Sequence, residues 1–157
     1  SALVLFMLGW LASALFMQLP AIDSQKPLDV FHSNSEKSSP SDRIEEYDVR
    51  ASDDKVVINI KNPYLARFPD THSMEPVLDK TTTGIEIVPE SSDDIKVGDI
   101  ISYKSGYSED IIIHRVIKLG SDSHSWYAIT KGDNNASADI EKIRFGQVQR
   151  ILVGILY

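Results

Sequence analysis

The chain has 157 residues, enough for one domain with accessory segments, and no cysteine. Disulfides, thiolate nucleophiles and cysteine-ligated metals are thereby excluded. Its 16 basic and 23 acidic side chains give a net charge of −7 without a basic stripe, so no nucleic-acid partner is expected.

Residues 1–20 carry no charge, and Ser1, Ser13 and Gln18 are their only polar side chains. Twenty residues of helix rise about 30 Å, the thickness of a bilayer's hydrocarbon core. A cleavable leader has a shorter apolar stretch and a small-residue exit, unlike Gln18-Leu19-Pro20. A transmembrane anchor over residues 1–20 is therefore expected, with the lipid bilayer as a partner. The acidic character after Pro20 suits a domain on the extracytoplasmic side of the cell membrane, reached by a single pass. The chain opens on Ser1 rather than methionine, so further residues are expected ahead of it.

Residues 21–54 change in character. Serines crowd between Ser33 and Ser41, and Pro27 and Pro40 break any helix. The expectation is a polar spacer that holds a domain near the membrane. Residues 44–49 have some capacity to dock, but nothing in the pattern forces it.

The domain is expected over residues 55–157. Short β-rich runs lie at residues 56–60, 85–88, 100–103, 110–119, 125–130 and 148–156, separated by turn residues. No sustained helical period follows residue 54, except for a short turn at residues 75–80. The predicted class is mainly β, an antiparallel sheet with closely spaced strands.

Three segments carry possible chemistry. The first is Thr71-His72-Ser73-Met74-Glu75-Pro76. Pro76 restrains the chain before it, and a rigid turn suits a hydroxyl that must be held in tight geometry. Thr71 is placed to donate to a developing oxyanion, with the Ser73 amide as second donor. A β-turn with a capping serine fits this segment equally well. The second segment is the strand run from Ile111 to Ile117, which contains His114-Arg115-Val116. A serine hydroxyl needs a base to take its proton. His32 lies in the spacer, His124 in a polar loop, and His72 points away from its neighbour Ser73 in an extended chain, which leaves His114. The third segment is Lys131-Gly132-Asp133-Asn134-Asn135-Ala136, with Asp139 beyond it. An imidazole base benefits from a carboxylate that fixes its tautomer, and either aspartate can supply one.

The serine segment resembles the nucleophile box of type I signal peptidases, in which a small or hydroxyl residue precedes Gly-Ser-Met-any-Pro. Ser73, Met74 and Pro76 match, and Thr71 takes the hydroxyl position that helps form that family's oxyanion hole. His72 departs, because the family usually has glycine there. His114-Arg115-Val116 resembles the base strand of the histidine branch, found in archaea and the endoplasmic reticulum. Val97-Gly98-Asp99-Ile100-Ile101 resembles a further box, and residues 131–139 resemble the last one. There the resemblance gives Asp139 the orienting role and Asp133 a supporting one, with the reverse assignment left open. Residues 78–94 follow the family pattern poorly.

The resemblance implies a membrane-anchored serine endopeptidase that cuts signal peptides from exported preproteins. Ser73, His114, Asp139 and Asp133 would form the catalytic set, Thr71 and the Ser73 amide the oxyanion hole, and Met74 and Pro76 part of the substrate surface. No metal or organic cofactor is implied, and accessory membrane subunits are left open. A non-catalytic tethered β-domain that binds exported chains is the alternative. A self-cleaving repressor domain shares the architecture, but it carries a DNA-binding domain and a lysine base.

Overall fold

The computed structural model describes residues 37–157. The expected anchor over 1–20, and the spacer up to residue 36, lie outside the described residues. Among the described residues no helix is long and apolar enough to cross a membrane.

The fold is mainly β and antiparallel, with only 3-10 turns as helix among the described residues. Strands β1 (Val49–Ala51) and β2 (Val56–Ile58) form a small hairpin, with Val49 opposite Ile58. The remaining strands are β3 (Tyr64–Arg67), β4 (Thr83–Ile87), β5 (Ile100–Lys104), β6 (Ile111–Asp122), β7 (Ser125–Lys131) and β8 (Val148–Leu156). They make one sheet in the order β3-β4-β8-β5-β6-β7. Each expected strand appears within a few residues of its predicted ends. β1 and β3 were not foreseen, being short and largely exposed, with no apolar alternation to announce them.

Both faces of the sheet are covered, which explains the near-continuous apolar runs in β5 and β8. On one face Ile101, Tyr103, Val116, Ala128, Ile143 and Ile151 form the larger cluster. On the other, Met74, Leu78, Ile100 and Leu152 form the smaller, with Phe68 and Ile113 against it. Period two sends His114 toward the first face and its neighbours Ile113 and Arg115 toward the second. A bulge between Val116 and Lys118 then resets the alternation along β6.

The folded unit begins earlier than the expected boundary at residue 55. Residues 37–54, assigned to the spacer, belong to it. The reason is a buried carboxylate. Asp99 is fully buried and accepts from Lys96 N at 2.8 Å, Ser41 N at 2.8 Å and Arg43 Nη2 at 2.6 Å. A carboxylate with no solvent must find donors, and the segment before β1 supplies two of them. Arg43 also donates to the Asp94 carbonyl. Gly98, at φ +102°, lets this segment pass close, since a Cβ there would stand 2.0 Å from the Ser39 oxygen.

Candidate active site

Ser73 opens a tight turn over residues 73–77. Val77 N and Leu78 N both return to the Met74 carbonyl, at 2.9 and 3.0 Å. The turn is pinned from below because Met74 and Leu78 are buried together in the smaller cluster. The serine side chain is left half-buried at the rim.

The acidic loop lies directly on this turn. Asn134 N donates to the Ser73 carbonyl at 2.9 Å, and Asn134 Nδ2 to the His72 carbonyl at 3.0 Å. The approach requires Gly132, where a Cβ would stand 2.6 Å from the Ser73 oxygen. Glycine here answers a steric demand, beyond the turn propensity of Gly-Asp-Asn.

β6 brings the histidine to the same place. His114 Nε2 lies 3.2 Å from Ser73 Oγ, and His114 Nδ1 lies 2.7 Å from Asp139 Oδ2. A carboxylate only accepts, so Nδ1 carries the proton and Nε2 is free to accept from the serine hydroxyl. Thr71 Oγ1 lies 3.1 Å from Ser73 Oγ, so its hydroxyl donates to the oxygen whose proton faces the imidazole.

Asp139 is itself held. Its amide donates to the Thr130 carbonyl at 2.8 Å. Its Oδ2 receives the Tyr103 hydroxyl at 2.9 Å and the Thr130 hydroxyl at 2.7 Å. Burial alone would raise the Asp139 carboxyl, but the bonds from His114, Thr130 and Tyr103 outweigh it and hold the group below its usual range. Burial pushes the Tyr103 phenol well up, so it stays a donor. Tyr103 and Thr130 were not foreseen as site residues. A tyrosine in an apolar strand signals a hidden hydrogen-bond partner, though not which one.

Asp133, expected in the catalytic set, takes a different place. It forms a two-pronged pair with Arg115, at 2.8 Å from Nε and 2.7 Å from Nη2, on the opposite side of β6 from His114. Arg115 Nη1 also donates to the Gly98 carbonyl at 2.8 Å. The choice between the aspartates is thus decided by strand alternation: Asp139 meets the imidazole, and Asp133 fastens the loop to the strand. Asp133 N also points at the Met74 sulfur, 3.3 Å away.

Met74 is a buried core residue that also lines the cleft beside Ser73, but the expectation for Pro76 changes. Pro76 is exposed and does not line that cleft, because the turn carries it to the outer side. The cleft, about 850 Å³, runs between the edge strand β3 and the start of β6 and reaches Ser73 and His114.

His72 adopts the left-handed region, at φ +59°. Its Nδ1 lies 2.6 Å from Glu75 Oε1, and its ring is raised in pKa by Glu75 first and then Asp70. Asp70, His72 and Glu75 are, among the described residues, the grouping with metal-ligand spacing. All three sit at the surface, and Asp70 already holds Lys80 at 2.6 Å.

In comparisons with protein-family models, with curated proteins and with solved structures, the chain matches none.

Proposed function

We propose that this chain is a serine endopeptidase of the signal-peptidase kind, in its histidine branch, anchored by residues 1–20 and acting on exported preproteins at the outer face of the cell membrane. The observation that carries the reading is the continuous line Thr71–Ser73–His114–Asp139, with contacts of 3.1, 3.2 and 2.7 Å, opening onto a cleft. The resemblance of the three sequence segments narrows it from hydrolase to signal peptidase.

In the proposed reaction Ser73 Oγ attacks the scissile carbonyl while His114 Nε2 takes its proton. Asp139 steadies the imidazolium that forms. The carbonyl oxygen, now negative, is held by the Ser73 amide and by the Thr71 hydroxyl, which turns to it from Ser73 Oγ as the new bond forms. As the intermediate collapses, His114 returns the proton to the leaving amine. Water then repeats the sequence to free the acyl product. The outer edge of β3 borders the cleft and offers backbone groups to an extended substrate.

The test is processing of a radiolabelled preprotein by the full chain in detergent micelles. Ser73→Ala should abolish cleavage without changing the melting temperature. Cleavage by the Ser73→Ala form would refute the reading. An inert wild type that still binds signal peptides would favour the tethered binding domain.

A further inference from the structure

The floor of the cleft holds polar residues that the proposed reaction does not use. Glu86 on β4 pairs across to Tyr64 on β3, Arg150 on β8 pairs with Ser102 on β5, and Ser102 pairs with Ile113 on β6. They form a row across the sheet, stepped at β8 because Glu86 stands opposite Leu152, that ends at Ile113, the chain neighbour of His114. Tyr64, Glu86, Ser102, Ile113 and Arg150 all line the same cleft as Ser73.

Glu86 and Ser102 are 2% and 3% exposed. Buried polar groups are normally paired. Here, among the described residues, Ser102 Oγ and Arg150 Nε have no hydrogen-bond partner. Arg150 Nη1 stands 3.9 Å from Glu86 Oε2, and its guanidinium covers the Tyr64 ring at 4.3 Å. The charges of Glu86 and Arg150 offset each other. The floor therefore offers no net charge but one unused hydroxyl and one unused N–H.

From this row we infer a specificity site: Ser102, Arg150 and Glu86 receive a neutral hydrogen-bonding side chain of the substrate, a hydroxyl or a carboxamide. A formally charged side chain would face one like charge in the pair. An apolar one would leave the hydroxyl and the N–H buried without partners. A site of this kind discriminates strongly against an analogue that lacks the polar group. Burial pushes the Glu86 carboxyl up, against the pull of the nearby Ser102 hydroxyl and Arg150. The inference deepens the peptidase reading and rests on it for the word substrate, but the pocket's selectivity can be read by binding alone.

The experiment uses quenched peptides spanning a signal-sequence cleavage region, with the isosteric pairs Ser/Ala, Thr/Val and Asn/Leu placed at each position in turn. The full chain in micelles is assayed for kcat/KM, and its Ser73→Ala form for binding by titration calorimetry. At one position the polar member of each pair should be preferred by about tenfold or more. Ser102→Ala should reduce that preference to about twofold, as should Glu86→Leu, which replaces a buried carboxyl with an apolar side chain. Should Glu86→Leu fail to fold, Ser102→Ala alone decides. Ser73-dependent cleavage with no polar preference, or with a preference that Ser102→Ala leaves intact, would overturn the inference and spare the peptidase reading. Selective binding by a chain that never cleaves would do the reverse. Absence of both cleavage and selective binding would remove both.

Discussion

His72 shows how a single residue bears on the turn that presents Ser73. Its φ of +59° is one that glycine adopts freely and a residue with a Cβ does not. The Glu75 contact holds it there. Replacing His72 by Ala or Gly removes that contact in both cases, so the difference between the two variants isolates the backbone. His72→Gly should be more stable than His72→Ala by about 1 kcal/mol in urea unfolding. At the same scale, His114→Ala should lower kcat by several powers of ten with a melting temperature near wild type, and Asp139→Asn by roughly 10³–10⁴-fold with some loss of stability at neutral pH. Thr71→Val, which keeps shape but loses the hydroxyl, should cost about 10²–10³-fold in kcat with little change in KM. A rise in KM with kcat unchanged would instead assign Thr71 to binding that ground state and transition state share.

At the scale of elements, the site depends on how β6 and the 132–135 loop grip each other. Arg115 and Asp133 are both nearly buried, with side-chain exposures of 9% and 2%. Removing one partner leaves the other's charge stranded, at a cost of about 3–5 kcal/mol. Arg115→Met should therefore lower stability by that amount in denaturant titration, and Arg115→Lys should lose part of it by giving up the two-pronged geometry. A change under about 1 kcal/mol in Arg115→Met would show that the pair is not what fastens the loop. Gly132→Ala probes the same junction. The added methyl must push the Ser73 carbonyl or the Asn135 amide away, and a misplacement of about 1 Å is enough to cost about 10²-fold in rate. Its effect should fall on kcat more than on stability.

Across the whole molecule, the acid limit follows from several carboxylates together. Asp139 has a folded pKa below the ordinary value of 3.8, so the stability it contributes is complete above that pH and lost as pH falls through the folded value. Asp94 shifts the same way, lowered by the Ser91 and Glu90 amides. The melting temperature should thus fall steeply below about pH 4, and less steeply in Asp139→Asn. Glu86 runs opposite. Its folded pKa lies above the ordinary 4.5, so stability declines as pH rises from 4.5 to the folded value and is flat beyond it. Glu86→Gln should therefore gain more stability relative to wild type at pH 7 than at pH 4. An equal difference at both would mean that burial does not penalise the carboxylate.

Residue order alone determined the mainly β class, most strand positions, and the serine, histidine and two aspartate candidates, because alternating apolar residues and turn chemistry act over a few neighbours. It left open which aspartate meets His114, since that depends on which face of β6 each loop residue reaches. Nor did it reveal that residues 37–43 close onto Asp99, that Tyr103 and Thr130 support Asp139, or that Glu86, Ser102 and Arg150 meet under the cleft. Those pairings join residues far apart in the chain, and strand register and bulges decide them. A buried polar group announces that it needs a partner, but only the packed sheet says which one arrives.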